Sequence, residues 1–221
     1  MVLSRSRPVC DVPEIVFGSM PNNGGHLLLD DDERRELLAR QPSARKFIRR
    51  LVGSHEFING ESRWCLWLVD ASPAELRAMP EVMHRIAQVR RHRAASARPT
   101  TRRLATIPAL FGEIRQPTGR YLLVPSVSSE RRPYIPIGFM PPSVIASNLA
   151  LMVPSATLYH FGVLASAMHM ARARQVCGRL KSDYRYSNKL VYNNFPWPQQ
   201  PTEKQKSAVE QLAPPASGSA R

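Results

Sequence analysis

Residues 157–180, TLYHFGVLASAMHMARARQVCGRL, begin almost wholly apolar and turn basic only from Arg172 onward. A run of that length reads as a substantially buried helix with an arginine-rich end, and it leads into the polar, aromatic segment KSDYRYS at 181–187. Upstream lie shorter apolar runs broken by proline or polar turns: YLLVP from Tyr121, YIPIGF from Tyr134 and VIASNLALMVP from Val144. Their β-branched and aromatic content marks them as strands of a mixed sheet. Strands followed by a long helix that feeds a loop indicate an α+β fold.

The rest of the chain is arranged around that core. Residues 1–25 carry Pro8, Pro13, Pro21 and the turn Asn22-Asn23-Gly24-Gly25, and are expected to be a connector. The run DDDERRELLARQ from Asp30 places acids at a helix start. A second short helix is expected between Pro42 and Gly53, and RWCLWLVD at 63–70 is rich in strand formers. Ser72-Pro73-Ala74-Glu75 fits a capping box with proline at the first helical position, opening a helical region interrupted near Pro80. The main domain is thus expected over 26–198. The tail, 199–221, starts like a helix at Thr202-Glu203 and runs out in APPASGSAR, a composition that favours disorder.

The 221 residues hold 31 Lys and Arg against 17 Asp and Glu, a formal charge of +14 that points to a polyanionic partner. Arginine dominates; it suits bidentate contacts to phosphate and guanine, although a GC-rich genome also inflates it. Between Val82 and Gly112 there is no acid at all. A charge run is usually a solvated face, yet without compensating acids Arg85, Arg90, Arg91, Arg93, Arg98, Arg102 and Arg103 are candidates for DNA phosphate contacts. Three cysteines far apart, Cys10, Cys65 and Cys177, suggest neither a disulfide framework nor a zinc site. With no bilayer-length apolar run and no signal-peptide pattern, the expectation is a cytoplasmic protein without a membrane partner.

Residues 178–198, GRLKSDYRYSNKLVYNNFPWP, interleave Arg179, Lys181, Asp183, Arg185 and Lys189 with aromatics. That pattern fits a polar loop pinned by core tyrosines, and equally a base-reading loop. In an extended segment Lys181 and Asp183, two apart, would project from one face. Lysine donates to O6 and N7 of guanine while aspartate accepts from the cytosine amino group, so the pair could read one G·C base pair. Enzyme signals are weak. No glycine-rich turn follows a strand, and Asn193-Asn194-Phe195-Pro196 lacks the paired prolines of the Asn-Pro-Pro-aromatic methyltransferase motif. His160 and His169, nine apart and without acidic companions, read as core histidines rather than metal ligands.

Taken together, FGSMPNNGGHLLL (17–29), ESRWCLWLVDASPAELR (61–77), LFGEIRQP (110–117), VSSERRPYIPIGF (127–139), residues 156–187 and VYNNFPWP (191–198) resemble the target-recognition region of MmeI-like restriction-modification enzymes. The resemblance spans about Phe17 to Pro198. It implies sequence-specific recognition of double-stranded DNA as the specificity part of an adenine-N6 methyltransferase, with no catalytic residue, cofactor or metal site in these residues. S-adenosylmethionine would belong to a methyltransferase domain or subunit outside them, to which 1–25 would be the connector, and 199–221 would be a shortened helical region. The resemblance also implies that Lys181 and Asp183, flanking Ser182, specify one base pair with guanine on the modified strand. Asn148, Leu149 and Arg185 are implied as neighbouring base readers, Arg179 joins the phosphate candidates, and Glu130, Arg131 and Arg132 are expected to be structural or phosphate-facing. The competing readings are a non-specific nucleic-acid-binding protein, for which charge suffices, and an active methyltransferase, against which the missing cofactor motif argues.

Overall fold

The computed structural model describes residues 2–213. Strands β1 (Val16–Phe17) and β2 (Leu28–Leu29) flank the Asn22–Gly25 turn, in which Asn22, Gly24 and Gly25 have positive φ. Helix α1 (Asp31–Arg40) starts where the acids place it. Asp30 accepts from the Glu33 amide at 2.8 Å, and Glu33 accepts from the Asp30 amide at 3.1 Å. The helix expected between Pro42 and Gly53 is instead a 3-10 turn, Pro42–Phe47, followed by strand β3 (Ile48–Val52). Its sequence IRRLV has apolar ends and partners on both edges, which outweigh the helical bias of two arginines. After α2 (Ser54–Asn59), β4 (Trp64–Leu66) uses only the centre of the expected 63–70 strand.

Ser72 and Glu75 form the foreseen capping box on α3 (Pro73–Arg77). Beyond the Pro80 break, α4 (Pro80–Ala94) buries Val82, Ile86 and Val89, and α5 (Pro99–Arg103) follows. Then come β5 (Tyr121–Pro125), β6 (Val127–Ser128), β7 (Gly138–Met140), β8 (Val144–Ala146) and β9 (Ala150–Pro154). The YIPIGF run pairs only from Gly138, because Pro133 and Pro136 carry no ladder donor. The VIASNLALMVP run proves to be two strands in two sheets. β8 lies parallel to β3 in the order β2-β4-β3-β8, whereas β9 is antiparallel to β5 and β1 in the order β1-β9-β5-β7. The turn Ser147–Leu149 therefore crosses from one sheet to the other.

β1 weaves the expected connector into a sheet. At Gly18 the chain passes so close beneath that crossing turn that a Cβ would sit 2.3 Å from the Ser147 carbonyl oxygen and 2.5 Å from that of Ala146. The single long helix foreseen from Thr157 is broken into α6 (Leu158–Leu164) and α7 (Ala167–Val176). Ser166 causes the break by accepting from the His169 amide at 3.2 Å, which caps the second helix. β10 (Gly178–Leu180) and β11 (Asp183–Arg185) form a third sheet with β6. In the tail, α8 (Glu203–Leu212) is an ordered helix capped by Thr202 and Gln205, seated on α6 where Gly162 leaves room for Val209. The remainder of the expected disordered segment, 214–221, lies outside the described residues.

The core has three parts. One joins α4 to the β2-β4-β3 layer, and one joins α6 and α7 to β5, β9 and the residues after β11. The third lies between the sheets. β5 separates the last two, sending Leu122 and Val124 to one side and Tyr121 and Leu123 to the other. The architecture is α+β with mixed sheets, as the apolar strand runs followed by helix foretell.

Candidate nucleic-acid interface

α7 ends at Cys177, and β10 and β11 turn back on each other as a hairpin with Gly178 opposite Arg185, Arg179 opposite Tyr184 and Leu180 opposite Asp183. Opposed residues in an antiparallel pair share a face. Leu180, Asp183 and Arg185 therefore stand on one side, with Leu180 and Arg185 exposed. Arg179 and Tyr184 stand on the other. Tyr184 is buried, and the Arg179 guanidinium lies 4.1 Å from its ring centroid. Lys181 is exposed in the two-residue turn Lys181-Ser182 with φ of 56°. The expectation that Lys181 and Asp183 extend from one strand face is thus corrected: a turn lies between them, and Lys181 is its tip while Asp183 begins the return strand.

The hairpin is anchored from behind. Tyr186 is fully enclosed, and its hydroxyl lies 3.0 Å from His169 Nε2 on α7. Burial drives the His169 pKa down to about 4, partly opposed by a hydrogen bond to the Leu164 backbone, and raises that of Tyr186 well above its ordinary value. A neutral ring that gives its other N–H to a carbonyl leaves Nε2 as acceptor for the tyrosine hydroxyl. β11 also pairs with β6, Arg185 facing Val127 and Tyr184 facing Ser128.

The same β6 edge brings in the crossing turn. Ser126 donates through Oγ to the Leu149 carbonyl at 2.6 Å, and its own carbonyl accepts from the Tyr186 amide at 2.9 Å. Leu149, 54% exposed, is thereby tied beside the base of the hairpin. Asn148 is half-buried, with its backbone amide held by the Ser19 carbonyl at 2.9 Å. The structure thus places Asn148 and Leu149 beside the base of the hairpin that carries Arg185, Asp183 and, at its tip, Lys181.

The basic stretch lies elsewhere, over the amino-terminal core. Arg93 is corrected outright: it has no exposed surface. Its guanidinium donates to five carbonyls, those of Pro21, Asn22, Leu104, Ile107 and Leu110, at 2.7 to 3.2 Å. It binds the Asn22 turn to the segment after α5 and cannot touch phosphate. Burial lowers its pKa. Arg85 is largely spent on Glu33 at 3.0 Å and the His26 carbonyl at 3.2 Å. Arg102 caps the Ser96 and Ala97 carbonyls, both at 2.9 Å. Arg90, Arg91, Arg98 and Arg103 are exposed, and none of them is in an ion pair among the described residues. Arg179 is partly committed too, to the Ser182 carbonyl at 2.9 Å and to Glu130 at 3.7 Å.

The remaining motifs are structural. His160 Nδ1 accepts from the Thr157 amide at 3.0 Å, and His169 serves as described. The amides of Asn193 and Asn194 donate to the carbonyls of Arg5 and Leu3, at 2.8 and 3.0 Å, clamping the amino-terminal segment. Among the described residues no three His, Cys, Asp or Glu side chains gather to hold a metal, and no helix is long and apolar enough to cross a membrane.

Residues 1–199 match the family described as MmeI, target recognition domain. The chain is 40% identical over 212 residues to DNA methyltransferase A of Bacillus subtilis (strain 168), covering 96% of this chain and 24% of that protein. Among solved structures, the Type IIL restriction-modification enzyme MmeI in complex with DNA is similar with a TM-score of 0.93 at 46% identity. That match covers 96% of this chain and 28% of that one. The chain therefore spans about a quarter of the length of these relatives.

Proposed function

The chain belongs to the MmeI target recognition domain family, and on that basis we propose that it reads double-stranded DNA by sequence, as the specificity part of an adenine-N6 methyltransferase or restriction-modification enzyme of the cytoplasm. The observation that carries this reading is the two-faced hairpin, anchored through Tyr184 and Tyr186 and presenting Asp183 and Arg185 outward with Lys181 at its tip. That is the geometry a major groove admits. Lys181 donates to guanine O6 and N7, and Asp183 accepts from the amino group of the paired cytosine. Arg185, Asn148 and Leu149 contact neighbouring pairs. Methyl transfer, with S-adenosylmethionine and a flipped adenine, falls to a methyltransferase domain or subunit that this one delivers to its site.

The test is binding selection from randomised duplexes with wild type and with the Lys181→Glu, Asp183→Arg double variant. Exchanging donor and acceptor should invert one preferred pair from G·C to C·G. Each single variant should bind both forms poorly, at a cost on the order of 1 to 3 kcal/mol. Identical selected sites for wild type and double variant would remove the hairpin from sequence reading. The exposed Arg90, Arg91, Arg98 and Arg103 favour one other reading, a non-specific nucleic-acid binder, and that reading predicts no selected site at all.

A further inference from the structure

Between Glu113 and Glu203 the sequence holds ten lysines and arginines but only two acids, Glu130 and Asp183. Separated by 53 positions, they meet: the Glu130 amide donates to Asp183 Oδ1 at 3.4 Å. A carboxylate on a surface that faces DNA repels its phosphates, so each of the two needs a reason to be there. Asp183 has one in accepting from a base. Glu130 has different surroundings. Its carboxylate lies 3.7 Å from Arg179 Nη1, and that same nitrogen donates to the Ser182 carbonyl at 2.9 Å while the guanidinium stacks on Tyr184. Glu130 thus touches both sides of the turn, Asp183 through its backbone and Ser182 through Arg179. Its side chain is 48% exposed and that of Arg179 is 43% exposed, so the ion pair contributes little to folding stability.

We propose that Glu130 is a positioning residue for base recognition, fixing the Lys181-Ser182 turn in register with Asp183 through Arg179. The inference rests on the hairpin being the base-reading element. Glu130 sharpens discrimination at the hairpin's base pair, and its charge weakens binding to DNA in general. Affinity and discrimination should consequently move in opposite directions when it is removed.

The experiment is competition binding by the purified 221-residue chain to its selected duplex, to the duplex with the hairpin-read pair inverted, and to duplexes altered at other positions. Glu130→Ala should bind the inverted duplex about threefold more tightly than wild type, since an acid facing phosphate is gone. It should lose about tenfold in discrimination at that pair alone, with an unchanged thermal midpoint. Glu130→Gln removes the charge that holds Arg179 at 3.7 Å, so it should lose discrimination at that pair as Glu130→Ala does, with the same gain in affinity. Arg179→Ala should lose discrimination at the same pair, and the double variant should lose no more than either single one. The proposal is overturned by a Glu130→Ala variant that discriminates as wild type does. It is overturned equally by a loss spread over all positions with a lowered thermal midpoint, the mark of a general structural role. A wild type that prefers no sequence defeats the hairpin reading itself, and the role of Glu130 with it.

Discussion

His169 shows how one buried side chain holds a surface element in place. Its ring is neutral because burial drives its pKa down to about 4 from an ordinary value of 6.5, and it braces Tyr186 immediately after β11. A histidine depressed in the folded state contributes its full stability above pH 6.5, where neither state is protonated. As pH falls from 6.5 towards 4 the unfolded chain takes up the proton first, and about 3 kcal/mol is lost across that window. Below about pH 4 both states are protonated and the loss levels off. His160, also lowered by burial, titrates over part of the same range, so the measurement is a comparison. In urea unfolding, His169→Gln should show a visibly shallower fall in stability between pH 6.5 and 4 than wild type. Equal slopes would mean that His169 is protonated within the fold. Arg93 carries the complementary lesson about legibility. By charge it joined the phosphate candidates, yet Val82, Ile86, Val89 and Arg93 are spaced four, three and four apart, so the inward stripe of α4 ends on it. The period was readable, but the five carbonyls awaiting it, two of them 71 and 72 residues away, were not.

At the level of elements, local signals proved the most legible. The acids from Asp30 and the capping box at Ser72 begin helices where they should, and short apolar runs became strands. Misreadings arose where tertiary partners decide: IRRLV became a strand because β4 and β8 lie on either side, and Ser166 ended a helix that apolar content alone would continue. The base-reading candidates were legible as residues, but the turn that separates Lys181 from Asp183 was not, since its left-handed tip is a lysine rather than the usual glycine or asparagine. Gly18 offers a test of how firmly the elements interlock. Its missing Cβ admits β1 under the turn that joins β8 to β9, and the atoms it would strike are backbone oxygens, which have little room to yield. Gly18→Ala should cost about 2 kcal/mol or more and lower the thermal midpoint by several degrees, whereas Gly119→Ala, with open space around it, should do neither. A Gly18→Ala protein as stable as wild type would show that the crossing turn gives way easily.

Over the whole molecule, the charge of +14 is divided between two uses. Some arginines are internal fasteners, Arg93 most completely, while Arg90, Arg91 and Arg103 remain free to meet phosphates. Replacing those three with alanine should weaken binding to every duplex alike. It should also reduce the slope of log affinity against log salt by about one for each phosphate no longer neutralised. An unchanged slope would assign them to solvent alone. The selected sequence should stay the same, because none of them lies on the hairpin. The hairpin's two faces carry a further consequence, for descent. Substitutions at Lys181, Asp183 or Arg185 alter residues that face outward, while Tyr184, Tyr186 and His169 continue to hold the scaffold. A lineage can therefore change which DNA word it answers to through a few paired substitutions, without first passing through an ancestor that fails to fold.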